Sequence, residues 1–156
     1  MQLYYPYIID QIEQGKYRKL GAGSGRYVYD MENGYVIKFG RNRKGLAQNQ
    51  VEDEIYHKRR EPVLAAVAGC SSDNRILVME KADPYKNYYS LRQYYNISSM
   101  RELLHIAEVR RMVEEYQLVG VDLMKISSWG ELRGRPVLID YGFTTHVQRR
   151  YYNGFF

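Results

Sequence analysis

Lys38 closes the β-favouring run Tyr35-Val36-Ile37-Lys38, and a glycine-rich stretch, Leu20-Gly-Ala-Gly-Ser-Gly, lies a short way before it. Two of those glycines, Gly21 and Gly23, have the spacing that lets backbone amides approach phosphate oxygens. A strand lysine behind such a loop supplies a positive charge for the same phosphates. Glu54 follows Lys38 by 16 residues and is the carboxylate expected to pair with it. Asp122 and Asp140 come later in the chain. One carboxylate is suited to take a proton from a hydroxyl and the other to ligate a metal. A single G-x-G is weak evidence; the loop, the lysine and three carboxylates in this order are much stronger together.

These residues need elements to hold them. A short helix over 6–14, closed by Gly15, opens the chain, and the pattern then turns to strands from Lys19. Asn33-Gly34 between two β-rich runs predicts a hairpin. A helix is expected over 46–60, stopped by Pro62, with Ala47, Val51, Ile55 and Lys58 on one stripe, Glu54 on the same, inward side, and Glu52 and Asp53 projecting elsewhere. Strands are expected over 63–68 and 76–79, giving about five strands and one helix before Ala82. Ser99 and Glu102 form a capping box that starts a helix running to about Gln117. Short strands over 119–122 and 136–139 flank a turn at 130–134. The expected organisation is a sheet-and-helix lobe over 1–82 and a second, mostly helical lobe over 83–156.

In this order the residues resemble the eukaryotic-type protein kinase fold and its small bacterial and phage-borne relatives, over about residues 20–142. Gly21 and Gly23 match the first two glycines of that family's nucleotide loop, and Val28 and Tyr29 the residues that close it. The resemblance implies that Lys38 contacts the α/β-phosphates of ATP with Glu54 as its ion-pair partner, and that 77–80, ending at Glu80, enters the hinge that binds adenine. It further implies that Asp122 is the catalytic aspartate and that Ile139-Asp140-Tyr141-Gly142 is the magnesium-binding motif, 18 residues on. There are departures. The third loop glycine is Arg26, the histidine and arginine before the catalytic aspartate are Gly120 and Val121, and the second metal ligand falls on Ser127, or on Ser128 with a shift of one residue, a neutral group in either case. After Gly142 only FTTHVQRRYYNGFF follows, where the family continues with a substrate platform.

Composition narrows the classes. Apolar content is 45% and charged content 26%, ordinary for a globular chain. No stretch has the length of a membrane span, no signal peptide is evident, and one cysteine, Cys70, fits a reducing cytoplasm as a small core residue. The three histidines fall in different segments without metal-ligand spacing. Net charge is +5, in small basic clusters, and tyrosine is abundant at 17, often in pairs such as Tyr88-Tyr89 and Tyr94-Tyr95. Tyrosine serves interfaces and wet core edges alike. Trp129 is expected as a core plug.

The resulting expectation is an α+β, kinase-like two-lobe protein: a five-stranded antiparallel sheet with one main helix, plus a reduced helical lobe. It would bind ATP and magnesium and act mainly by contact with another protein through its tyrosines, as a pseudokinase, in the manner of phage accessory proteins aimed at a host. One alternative is a miniature ATP-dependent phosphotransferase. Another is a nucleic-acid binder using the basic-aromatic segment 146–156.

Overall fold

In the computed structural model, which describes residues 1–152, the chain folds as α+β. Its N-terminal part holds α1 (Tyr5–Glu13), β1 (Arg18–Ala22), β2 (Arg26–Asp30), β3 (Tyr35–Gly40), α2 (Arg43–Arg59), β4 (Val67–Cys70) and β5 (Ile76–Glu80). The five strands form one antiparallel sheet in the order β1-β2-β3-β5-β4. This is the five-stranded antiparallel sheet with one main helix expected from the sequence. The β2–β3 hairpin turns at Asn33-Gly34, where Gly34 adopts φ 87°, a conformation favouring glycine.

Strand alternation decides what each face does. On β3 and β5, Ile37, Ile76 and Val78 point to one side and are covered by Ile8 of α1. Val36, Leu77 and Met79 point the other way into the main core, with Ile55 of α2. Each fully buried aliphatic of this kind contributes roughly 1.5–3 kcal/mol. Lys38 shares the second face with Val36, so the same alternation that buries Ile37 turns Lys38 towards α2 and the C-terminal part.

That second part contains β6 (Asp83–Pro84), α3 (Tyr88–Tyr95), a 3₁₀ helix (Met100–His105), α4 (Ala107–Tyr116), α5 (Gly120–Leu123), a second 3₁₀ helix (Ile126–Ser128), β7 (Trp129–Leu132), β8 (Arg135–Leu138) and α6 (Thr145–Tyr151). Strands β6, β7 and β8 make a small antiparallel sheet. Trp129 is fully buried; its indole N–H donates to the Leu123 carbonyl at 2.8 Å, and its ring meets Tyr95 edge-on at 6.0 Å.

Three local expectations are corrected. The strand expected over 63–68 divides between two partners. Val63–Ala65 bonds to Leu138 of the small sheet, and only Val67 onwards joins the large one. The helix expected over 99–117 begins at the Ser99 capping box, but Ile106 is extended (φ −67°, ψ 127°) and separates a 3₁₀ turn from α4. Residues 119–122 form the start of α5 instead of a strand, because the Asp122 amide turns back to the Val119 carbonyl at 3.0 Å.

Candidate functional site: an ion-pair hub beneath a cleft

Glu52 is the centre of the site. It is fully buried on α2, and its two oxygens accept six hydrogen bonds: two from Lys38, two from Arg26, and one each from the amides of Tyr141 and Gly142. Lys38 Nζ lies 2.9 and 3.0 Å from those oxygens and also donates to the Ile139 carbonyl. Arg26 reaches Glu52 with both Nη atoms, at 2.9 and 3.0 Å, and its Nη2 bonds Asp140 Oδ1 at 3.0 Å. A buried carboxylate is tolerable only with this density of donors. Burial by itself would raise the Glu52 carboxyl, but the charges and hydrogen bonds of Arg26 and Lys38 hold it down at about 2. Burial lowers the Lys38 ammonium, and Glu52 offsets part of that. Burial works against the Arg26 charge too, but Glu52 and Asp140 overcome it and raise its pKa.

Glu54, expected as the partner of Lys38, is not in the site. It is exposed and accepts a hydrogen bond from Gln50 one turn back, at 2.9 Å. The reason lies in the buried face of α2, which is Gly45, Gln48, Asn49, Glu52 and Ile55, a mostly polar stripe. An apolar pattern points elsewhere on such a helix. The signal that marks this face is Gly45: a Cβ there would lie 1.9 Å from the Gly25 carbonyl oxygen, so helix and loop backbones touch. Glu52 lies seven residues after Gly45, close to two helical turns. Asn42, which caps α2 by accepting from the Gly45 amide at 3.1 Å, fixes the helix start at that contact.

Above the hub lies a cleft of about 1030 Å³. Gly21, Gly23, Arg26, Lys38, Glu80, Asp122, Ser127 and Asp140 all border it, so most residues singled out in the sequence converge there. Leu20, Val28, Val36, Met79 and Ile139 give it apolar walls. The loop between β1 and β2 is tied back: Arg41 donates to the carbonyls of Gly23 and Gly25, each at 2.8 Å, and Asn42 to that of Ser24 at 2.8 Å. The Gly23 amide is taken by the Arg26 carbonyl at 2.8 Å. A Cβ on Gly21 would meet nothing within 4 Å, whereas one on Gly25 would lie 3.0 Å from Gly45. Close approach therefore needs Gly25 more than Gly21. The Glu80 carboxylate faces Arg133, at 2.6 Å.

Asp122 is largely buried and accepts from Lys125 at 3.0 Å. Burial, then the nearby Asp140 charge, raises its pKa, and Lys125 works against them. A carboxylate made more basic in a cleft suits proton acceptance. Ser128 Oγ, not Ser127, supports this turn by donating to the Asp122 carbonyl at 2.8 Å. Glu52, expected to project away from the site, Lys125 and Arg26 are the site residues whose roles the sequence did not indicate. Arg26 shares the cleft face of β2 with Val28 at period two, and that alternation was the available signal.

The fit of a magnesium ion follows from the donors present. Magnesium in phosphate sites takes one or two carboxylates besides phosphate oxygens. Asp140 has one oxygen engaged by the Arg26 guanidinium, and Ser127 is exposed and uncharged. Among the described residues, no group of three or more His, Cys, Asp or Glu side chains is placed to hold a metal. As arranged, Asp140 keeps one oxygen free, but beside the fixed Arg26 charge, and Ser127 is neutral, so the expected pair fits a magnesium ion poorly. Burial pushes the Cys70 thiol up to about 12, which disfavours the thiolate.

Among the described residues, no helix is long and apolar enough to cross a membrane. No protein-family model and no curated protein matches the sequence. Among solved structures, the chain is similar to the aminoglycoside phosphotransferase APH(2")-IIa in its streptomycin–ATP ternary complex, at 21% identity and TM-score 0.43, over 73% of this chain. It is similar to the gentamicin complex of APH(2")-IIa at 20% identity and TM-score 0.45, again over 73% of this chain. The chain spans 40% of the length of that protein.

Proposed function

We propose that the chain is a compact kinase-like protein that binds ATP in the cleft between its two sheets, with a phosphotransferase-type arrangement of side chains. The observation that carries this reading is the convergence of Lys38, Asp122 and Asp140 on one apolar-walled cleft, with Lys38 locked by Glu52. Apolar walls suit a purine ring, and a fixed lysine at the cleft base suits phosphates. ATP bound there supplies a transferable phosphoryl group. Asp122 accepts the proton of an acceptor hydroxyl, and Lys125 holds the Asp122 carboxylate in place. Calorimetric titration with ATP tests the reading: saturable binding is expected for the wild type and a large loss for Lys38→Met. A wild type that gives no saturable signal with ATP, with or without divalent cation, would remove it.

A second reading is contact with another protein. It is favoured by α3, which exposes Tyr88, Tyr89 and Tyr94 on one short helix, at 43%, 63% and 49%. Aromatic anchors of this kind carry a large share of interface energy. Residues 146–151 of the expected basic-aromatic tail lie instead in the docked helix α6, with Val147 buried and Tyr152 at its C-cap, and the rest of that tail lies outside the described residues. Its exposed Arg149 and Arg150 are the remaining support for nucleic-acid binding. The readings separate by variants: Lys38→Met and Asp122→Asn abolish an activity that depends on the cleft, whereas Tyr88→Ser with Tyr89→Ser abolishes one that depends on contact.

A further inference from the structure

Arg26 is an unusual residue to find beside Asp140. All four hydrogens on its two Nη atoms are matched by acceptors: Asn49 Oδ1, both oxygens of Glu52, and Asp140 Oδ1. Asn49 and Glu52 are completely buried, and the Arg26 side chain is 8% exposed. The guanidinium is therefore held in place and cannot swing away as an exposed arginine would. With its four Nη hydrogens spent, it acts mainly as a fixed positive charge. Asp140, by contrast, is 42% exposed and faces the cleft.

In a cleft that takes phosphates, an unpaired Asp140 would repel them, and a divalent cation is the usual remedy. Here the chain supplies its own counter-charge. A magnesium ion at ligand distance from Asp140, roughly 2.0–2.1 Å, would also have to sit close to a permanently charged guanidinium. Attraction by one carboxylate is then opposed by repulsion from a group that cannot move. Arginine cannot lose its proton in the working pH range, and here burial, which opposes the charge, is outweighed by Glu52 and Asp140, which hold the proton more tightly.

We propose that Arg26 stands in for the metal at Asp140, so that this cleft binds the phosphates of a nucleoside triphosphate without a divalent cation. This rests on the reading that the cleft takes ATP. The structure that carries it is the buried Arg26 fork spanning Glu52 and Asp140, with Lys38 on the same carboxylate.

The test is calorimetry of the full chain with ATP, in EDTA and in excess magnesium. Wild-type affinity is expected to agree within about threefold between the two conditions. Arg26→Gln is expected to lose roughly tenfold or more in EDTA and to regain affinity when magnesium is added. Wild-type binding that is roughly tenfold tighter with magnesium would overturn the inference while leaving the ATP reading intact. Absence of binding in both conditions would overturn the ATP reading and this inference with it. The wild-type comparison decides by itself, so a misfolded Arg26→Gln variant leaves the test standing.

Discussion

Lys38 Nζ lies 2.9 Å from Glu52 Oε2, and both side chains are buried. Removing Glu52 would strand two buried cations, Lys38 and Arg26. Glu52→Ala is expected to cost about 3–5 kcal/mol, the range for breaking a buried ion pair from one side. Glu54→Ala, on the exposed face, is expected to stay within about 0.5 kcal/mol of wild type. Urea denaturation of the two variants makes the comparison, and equal losses would contradict the assignment of Glu52 as the hub.

The same carboxylate sets the acid limit of stability. Its folded value of about 2 lies below the ordinary 4.5, so its contribution is complete above 4.5 and is lost as pH falls from there towards 2. Asp30 acts in the same sense, held at about 2 by hydrogen bonds from Lys81, the Glu32 amide and Arg18. Lys38 contributes unfavourably at neutral pH, because burial disfavours its ammonium; here too stability rises with pH, as that cost is relieved between its lowered value and the ordinary 10.5. Thermal melts between pH 2 and 7 are expected to show a steep fall in acid for wild type and a flatter one for Glu52→Gln. Parallel curves would show that Glu52 is not the group being titrated.

Backbone contact at the loop gives a third expectation. A Cβ at position 45 would sit 1.9 Å from the Gly25 carbonyl oxygen, and one at 142 would sit 2.5 Å from that of Gln48. Gly45→Ala and Gly142→Ala should each cost about 1–3 kcal/mol by overpacking. For a chain of this size that corresponds to a melting shift of roughly 2–4 °C per kcal/mol. Gly21→Ala, with open space around it, should leave the melting temperature where it is.

For Asp122 the expectation concerns turnover. If the cleft transfers phosphate, Asp122→Asn should reduce the rate by roughly 10²–10⁴ while ATP affinity changes little, since the proton acceptor is lost and the charge facing the phosphates is not increased. Transfer from labelled ATP to added acceptors, measured beside calorimetry, separates the two quantities. An unchanged transfer rate would remove Asp122 from the chemistry.

The sheet was legible because its strands obey period two and its hairpin carries Asn33-Gly34. Lys38 was legible for the same reason, since it alternates with Ile37. Glu52 was not, because the buried stripe of α2 consists of Gly45, Gln48, Asn49 and Glu52, and hydrophobic periodicity is blind to a polar core face. The role of Arg26 was hidden by its place in the glycine loop, where it registers as a missing glycine. What makes it functional is a partner 114 residues away, a relation that only the tertiary structure creates. Val63–Ala65 reads as strand, but Val63 lies in a turn and only Leu64 bridges to β8, a pairing that depends on the C-terminal part.

The amides of Tyr141 and Gly142 reach back 89 and 90 residues to a carboxylate already committed to Arg26 and Lys38. During synthesis at roughly 5–20 residues per second, Glu52 is made about 4–18 seconds before those amides exist. For that interval the sheet holds a charged centre that only two of its own cations neutralise. The arrival of residues 139–142 then completes the donor set of Glu52. A nascent chain of this kind should become protease-resistant late and abruptly, not one element at a time.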